Sequence, residues 1–212
     1  MLSPAYLRTV PLPRDLTNDD IFTALVETES FFTSIRKNAG TNLSEIIQAN
    51  NFSGVVSNVF TKKLGDASIY QPYHDQRYPD LMHKAIPIGL EVKASNKPMK
   101  GGEGHNGHSG WHIVVCYHIL PIGDIEFTHV EIAELNGFGH PDSDWKYCGS
   151  KRNKNDSQRT ETYMTNSIGT AKLRDGSVYL NPEYVNITPH LRHRRKKSSD
   201  LLPIPSFSPF AG

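Results

Sequence analysis

Two carboxylates and an amine lie close together in the sequence, and one of the carboxylates and the amine lie within a pattern that predicts a β-strand. Asp80 precedes Glu91 and Lys93 by a gap of hairpin length. Leu90 and Val92 are apolar and flank Glu91, which is the period of a strand with one buried face. Glu91 and Lys93 should therefore project together from the other face of that strand.

This combination of side chains suits the hydrolysis of a phosphodiester bond. A hard cation such as Mg²⁺ prefers carboxylate, carbonyl and water oxygens, and it can polarise a phosphate and acidify a bound water. Asp80 and Glu91 would supply carboxylate ligands, and the carbonyl of Val92 could supply another oxygen. Lys93 would orient or deprotonate the attacking water and neutralise charge on the phosphate. The alternative is a structural one, with a solvated charge pair on the strand and Asp80 capping a turn.

The same residues resemble the signature of a nuclease superfamily. Pro79-Asp80 followed by Glu91-Val92-Lys93 is similar to the PD-(D/E)XK motif, and the strand sequence L-E-V-K-A-S is typical of its type II restriction endonucleases. The resemblance covers about residues 67–120 and the helices before them. It implies a restriction-endonuclease-like fold, in which helices flank a central mixed β-sheet.

The resemblance also implies the roles of individual residues. Asp80 and Glu91 become metal ligands, and Lys93 becomes the catalytic lysine. Members of the superfamily often add an acidic residue from an N-terminal helix. The candidates for that further metal ligand are Glu29, Glu27 and Glu45.

A stretch rich in glycine and histidine, residues 97–110, follows the predicted catalytic strand. Its glycines would let the backbone pass close to DNA phosphates. The predicted donors to phosphates or bases are His105, Asn106, His108 and Ser109. The stretch is also similar to the one-metal H-N-H nucleases, but that family needs a helix with further ligands, and here an apolar, strand-like run follows. A surface loop with incidental histidines is the third interpretation, and we interpret His112 and His118 as strand residues rather than ligands.

A polar stretch at 149–159 is the predicted recognition loop. It contains side chains of the types that read guanine and adenine edges in the major groove: Lys151, Arg152, Asn153, Lys154, Asn155 and Arg159. A second basic run, residues 192–197, suits contacts with phosphates, which add affinity without sequence information. Both runs could also be solvated surface segments.

The positions of these residues depend on a fold in which helices precede the sheet. Helix caps and apolar periodicity predict an α+β or α/β class. We predict one domain over residues 1–212, loops at 97–110 and 137–167, and a mobile tail from about residue 190. The predicted helices are 17–39 and 42–65, the second with a break at 50–54; the predicted strands are 67–73, 85–94, 111–120 and 125–135, with a final hairpin joining 170–174 to 177–180.

Composition limits the other possibilities. Basic and acidic residues are balanced, 23 against 22, so the bulk charge does not by itself predict a nucleic-acid partner. The two cysteines are not spaced as metal ligands, which favours a reducing compartment. The sequence shows neither a signal peptide nor an apolar run long enough to span a membrane, so we expect an intracellular protein. The resemblance to restriction endonucleases implies a prokaryotic cytoplasm.

Together these patterns predict a sequence-specific, Mg²⁺-dependent endonuclease that cuts double-stranded DNA as a type II restriction enzyme does. Cutting both strands of a palindrome calls for a twofold homodimer. The chain contains no G-x-x-x-x-G-K-[ST] sequence, so we expect no nucleotide cofactor. The alternatives are a non-specific or repair PD-(D/E)XK nuclease, an H-N-H nuclease that uses His105 and His108, and a DNA-binding module without catalysis.

Overall fold

The computed structural model describes residues 2–73, 78–99, 103–105, 107–151, 160–190 and 203–211. In these ranges a short 3-10 turn (Pro4–Tyr6) precedes the main elements. The helices are α1 (Asn18–Ala39), α2 (Leu43–Ile46), α3 (Ala49–Ala67) and α4 (Ser167–Asp175). The strands are β1 (Tyr70–Pro72), β2 (Leu81–His83), β3 (Gly89–Ser95), β4 (Glu103–His105), β5 (Gly110–Ile119), β6 (Ile125–Leu135), β7 (Trp145–Lys151), β8 (Thr160–Thr165) and β9 (Ser177–Leu180).

The larger sheet has six strands in the order β1-β2-β3-β5-β6-β9. Its neighbours pair antiparallel except for β3 and β5, which run parallel, so the sheet is mixed. Helices α1 and α3 pack against one face, and α4 packs against the other through Leu173. The prediction of a central mixed sheet flanked by helices, with helices first in the chain, is therefore confirmed.

Of the two edge strands of the larger sheet, β1 is short and β9 is covered. At one flank β1 is three residues long and ends at Pro72. At the other flank the N-terminal segment lies along β9, where Leu7 forms a bridge with Tyr179 and Arg8 N donates to the Val178 carbonyl at 2.9 Å.

Helix α1 begins and ends where the sequence predicts. The Thr17 hydroxyl accepts a hydrogen bond from Asp20 N at 3.1 Å, and the Asp20 carboxylate accepts one from Thr17 N at 2.9 Å, which forms a capping box. Gly40 ends the helix in the left-handed conformation, with φ of 65°.

The second helical stretch breaks earlier than predicted. The break lies at Ile47 and Gln48, between α2 and α3, and residues 50–54 belong to the continuous helix α3. The low helix propensity of asparagine and glycine is outweighed by the burial of an apolar stripe. That stripe consists of Phe52, Val56, Phe60 and Leu64, each at most 1% exposed.

The predicted strand at 170–174 is wrong, because this segment is part of helix α4. The side chain of Asn166 caps the helix by accepting hydrogen bonds from Ile168 N at 2.9 Å and Gly169 N at 3.0 Å. Gly176 follows the last turn, and its N–H donates to the Lys172 carbonyl at 3.1 Å. The Asp-Gly pair therefore ends a helix rather than forming a hairpin, and β9 pairs with β6 instead.

Both predicted loops contain strands. Strand β4 lies within 97–110, and β7 and β8 lie within 137–167. They form a second, small sheet in the order β4-β8-β7. The small sheet packs on the α4 side of the larger sheet through Trp145 and Tyr163.

The expectation of a mobile tail does not hold for residues 203–211. The Ser208 hydroxyl donates to the Asp175 carboxylate at 2.7 Å, and Phe210 is buried against Met99 and Val185. Residues 191–202, which include the basic run, lie outside the described residues. Of the helices in the described ranges, none has the length and apolar character needed to cross a bilayer.

Candidate active site

Strand β3 presents Glu91 and Lys93 on the face that the sequence predicts. Leu90 and Val92 are buried in the core beneath α1 and α3, so the alternating residues face the other side of the sheet. There the Lys93 ammonium donates a hydrogen bond to the Glu91 carboxylate. Glu91 is largely buried, and its neighbour on the parallel strand β5 is His112.

Asp80, the residue directly before β2, lies beside this pair. Leu81 pairs with Leu90, which places Asp80 next to Glu91. The Asp80 carboxylate accepts a hydrogen bond from Val92 N at 2.8 Å and lies close enough to the Glu91 carboxyl to interact with it directly. The structure thus brings together the three residues that the sequence predicts.

A close approach at Gly89 makes room for Asp80. A Cβ added to Gly89 would lie 2.9 Å from Pro79 Cβ and nearer still to Pro79 Cγ. The Pro79 ring therefore lies directly over the backbone of β3 at Gly89, two residues before Glu91 and on the same face. Because Pro79 precedes Asp80, the absence of a side chain at Gly89 sets how closely Asp80 approaches the strand.

The electrostatics of the cluster fit a bound cation. Burial raises the pKa of Asp80, and the neighbouring Glu91 charge raises it further, against smaller opposing effects of the Val92 N–H and Lys93. Two carboxylates thus share one ammonium, which leaves negative charge for a hard ion to neutralise. In the described part of the chain, no group of three or more His, Cys, Asp or Glu side chains is arranged to hold a metal. The side-chain ligands that the cluster offers are the carboxylates of Asp80 and Glu91.

The Val92 carbonyl, the third predicted ligand, is already engaged in one hydrogen bond. It accepts from the Ser57 hydroxyl of α3 at 3.1 Å. A carbonyl oxygen has a second lone pair, so this bond links α3 to β3 and leaves the oxygen able to bind a cation.

Aromatic and imidazole rings line the same side of the cluster. The Tyr78 ring stacks on His108 with centroids 4.1 Å apart, and its hydroxyl donates to the Ser109 carbonyl. His112 Nδ1 lies 2.9 Å from the Gly110 carbonyl oxygen. Because a carbonyl oxygen only accepts, Nδ1 is the nitrogen that carries the proton. Burial lowers the pKa of His112 to about 4, and Lys93 contributes by repulsion.

The sequence interpretation of His112 as a strand residue holds, but that interpretation missed its place beside Glu91. The signal was present only as an alternation of His112 with apolar neighbours in β5. Its position next to Glu91 depends on the register between β3 and β5, which the sequence does not state.

The three helix glutamates predicted as further metal ligands each have a partner outside the cluster. The Glu29 carboxylate accepts a hydrogen bond from Phe127 N at 2.7 Å, on the sheet face that α1 covers, and burial raises its pKa to about 7. Glu27 pairs with Lys63 at 3.4 Å, and Glu45 accepts a hydrogen bond from Asn42 at 2.8 Å. The structure therefore joins none of the three to Asp80.

The predicted DNA contacts divide into three groups. His108 and Ser109 lie beside Tyr78, and the Ser109 hydroxyl accepts from Gly137 N at 2.7 Å. His105 and Lys151 lie on the small sheet, where they pair with Thr162 and Thr160 of β8. The remaining predicted contacts lie outside the described residues: Asn106, Arg152, Asn153, Lys154, Asn155 and Arg159. The small sheet thus brings the histidine stretch and the start of the basic stretch to neighbouring positions of one strand.

Comparisons with known proteins add no further assignment: no family model matches the chain, and no curated protein or solved structure is significantly similar to it.

Asp80→Asn should make the protein more stable in metal-free buffer at pH 8. Asparagine keeps an acceptor for the Val92 N–H and removes the charge that burial and Glu91 disfavour. An acid whose pKa is raised on folding weakens the fold when ionised; this cost begins to fall once the pH drops below the folded pKa, and it is gone below the unfolded pKa. Tm should rise by about 2–4 °C, the shift that about 1 kcal/mol gives in a chain of this size.

Calorimetry across the acid range would check this, because the gain should shrink as the pH is lowered. Asp66→Asn is the control, since Asp66 is exposed and pairs with Lys62 on α3. A lower Tm for Asp80→Asn than for the wild type at pH 8 would contradict the prediction.

Proposed function

We propose that the protein is a Mg²⁺-dependent endonuclease of the PD-(D/E)XK type that cuts double-stranded DNA at a specific sequence, as type II restriction enzymes do. The observation that carries the proposal is the meeting of Asp80, Glu91 and Lys93 on one face of the mixed sheet. The helices on both faces of that sheet agree with the fold that the motif implies. Such an enzyme acts in the prokaryotic cytoplasm.

The chain's own residues have distinct roles in this proposal. Asp80 and Glu91 would hold Mg²⁺, and the Val92 N–H keeps the Asp80 carboxylate in place. The ion, when bound, supplies charge neutralisation and acidifies a water molecule. Lys93 is partly exposed next to Glu91, so its ammonium can donate to a phosphate oxygen and orient the attacking water.

His112 supports the same chemistry by remaining neutral. With a pKa lowered to about 4, its ring adds no positive charge next to Glu91 at neutral pH. The two carboxylates therefore keep their attraction for a cation.

The small sheet supports DNA as the substrate. It carries His105 on β4 and Lys151 at the end of β7, and the sequence between β7 and β8 contains Arg152, Lys154 and Arg159. Basic side chains bind phosphates, and arginine and asparagine can read base edges. The histidine stretch continues into residues 108 and 109, which contact Tyr78 beside the candidate site. A palindromic target would be cut by a homodimer.

The H-N-H alternative loses support from the fold. Its histidines would need a following helix with further ligands, whereas the segment after His108 is the ten-residue strand β5. The PD-(D/E)XK arrangement instead has its three residues in contact.

Incubation of the purified protein with phage DNA and Mg²⁺ tests the proposal. Discrete fragments whose sequenced ends share one site are the expected result, and EDTA should prevent their formation. A smear would indicate a nuclease that cuts DNA without recognising a specific sequence. DNA that is shifted in a gel but stays uncut with Mg²⁺ would overturn the proposal in favour of a binding module.

A further inference from the structure

A buried carboxyl group and a buried imidazole face each other beneath helix α4. His129 and Glu131 lie on β6, on the sheet face away from α1 and α3, and both are 0% exposed. His129 Nδ1 lies 3.8 Å from Glu131 Oε1. Within the described part of the chain, neither of these atoms has a hydrogen-bond partner, and Glu131 Oε2 has none either. Buried polar atoms without partners are rare in folded proteins, so the protonation of this pair has to account for the contact.

The hydrogen bonds around His129 decide which ring nitrogen carries its proton. Ser177 Oγ lies 2.7 Å from the Arg174 carbonyl oxygen, and a carbonyl oxygen only accepts, so the Ser177 hydroxyl donates there. The hydroxyl has a single hydrogen, so it must accept in its 2.9 Å contact with His129 Nε2. Nε2 therefore carries the proton, and Nδ1 presents a lone pair to Glu131.

This lone pair requires a proton on Glu131, because an ionised carboxylate would repel it. Burial lowers the pKa of His129 to about 3, and the nearby charges of Arg174 and His190 lower it further. Burial raises the pKa of Glu131 to about 7, against a smaller opposing effect of Arg174. Burial also raises the pKa of the Cys116 thiol on β5, which therefore adds no charge beside Glu131. Glu131 is thus the member of the pair that holds the proton.

Arg174 connects the buried pair to the segment that follows strand β3. Its guanidinium donates to the Met99 carbonyl through Nε at 3.0 Å and also through Nη2. Met99 is 1% exposed and has a positive φ of 58°, which residues other than glycine rarely adopt. An ionised Glu131 would attract the same guanidinium, since charge-assisted hydrogen bonds are stronger than those to a neutral carbonyl. The Glu131 carboxylate and the Met99 carbonyl would then compete for Arg174.

We propose that Glu131 is a buried proton-binding site, whose carboxyl group donates to His129 Nδ1 in mildly acidic solution and whose ionisation at alkaline pH draws Arg174 away from Met99. Only the carboxyl O–H bond breaks in this step, and hydroxide from the solvent takes up the proton. Residues 96–99 follow the strand that carries Lys93, so the proton on Glu131 controls how firmly the end of that segment is held. This inference does not depend on the proposed nuclease function.

Thermal melting of Glu131→Gln tests the proposal, because the glutamine amide keeps a donor for His129 Nδ1 and cannot ionise. A carboxyl group whose pKa is raised on folding lowers stability as the pH rises from its unfolded to its folded pKa, and this loss persists above that range. The variant should melt close to the wild type at about pH 4.5 and about 5 °C or more above it at about pH 8.5. Glu134→Gln is the matched control: Glu134 is exposed on the same strand, so its difference from the wild type should not change with pH.

Nitrogen NMR of the wild type with labelled histidine gives a second readout that does not need the variant to fold. His129 should show a protonated Nε2 and an unprotonated Nδ1 at about pH 6. The amide signal of Met99 should then move between about pH 6 and about pH 9 in the wild type and stay fixed in Glu131→Gln.

A proton on His129 Nδ1 would overturn the proposal, because the proton would then not be on Glu131. A difference in melting temperature between Glu131→Gln and the wild type that is the same at both pH values would overturn it too. A wild-type Met99 amide that does not respond to pH would overturn the exchange of partners by Arg174.

Discussion

Lys93→Met should lower the rate of DNA cleavage by about 100- to 1,000-fold or more, as the loss of one preorganised charged donor does in other enzymes. Methionine keeps the length of the side chain and removes the ammonium that contacts Glu91. Asp80 and Glu91 remain in place, so the variant should still bind DNA. Single-turnover cleavage with Mg²⁺ measures the rate, and a gel shift measures binding.

A matched control is Lys63→Met. The Lys63 side chain is 25% exposed and pairs with Glu27, while the Lys93 side chain is 31% exposed and pairs with Glu91. Lys63 lies on α3, on the opposite side of the sheet, so its loss should leave cleavage unchanged. A Lys93→Met protein that cuts at the wild-type rate would remove Lys93 from the active site.

Gly89→Ala should lower cleavage by about 100-fold, because a displacement of the order of 1 Å in a reacting group has an effect of this size. The new methyl group would overlap the Pro79 ring, and Pro79 would have to move off the strand. Asp80 would move with it and lose its hydrogen bond from Val92 N. Glu91 and Lys93 would keep their positions, so we expect the loss in the cleavage rate rather than in DNA binding.

Gly54→Ala is the control for this glycine substitution. A Cβ at Gly54 would meet no atom within 4 Å, and the residue lies in the middle of α3. Alanine there should stabilise the helix by about 0.5–1 kcal/mol and leave cleavage unchanged. Equal activity of Gly89→Ala and the wild type would show that Pro79 does not position Asp80.

The core of the candidate site was predictable because its determinants are local. The alternation around Glu91 and Lys93 follows from the two-residue period of a strand, and a short gap before that strand is enough to bring Asp80 beside it. The capping box at Thr17 and Asp20 is equally local, and it sets where α1 begins.

The rest of the site depends on contacts between distant parts of the chain. Strand β4 pairs with β8, and each lies in a stretch that is polar and lacks periodicity. The neighbour of Glu91 on β5 is set by strand register, so His112 could not be assigned to the site from its own surroundings. Glu29 has the right chemistry for a metal ligand, but α1 packs on the sheet face away from Asp80. The Asp-Gly pair after α4 is compatible with a hairpin or a helix end, and tertiary packing decides between them.

The flanks of the larger sheet restrict how two copies of this chain can associate. Open strand edges recruit strands from other molecules, which leads to intermolecular sheets and aggregation. Here the chain's own N-terminal segment occupies the outer side of β9, and Pro72 lacks the N–H that a ladder on β1 would need. A twofold pair that straddles a palindrome would therefore meet through helices or loops rather than through a continuous sheet.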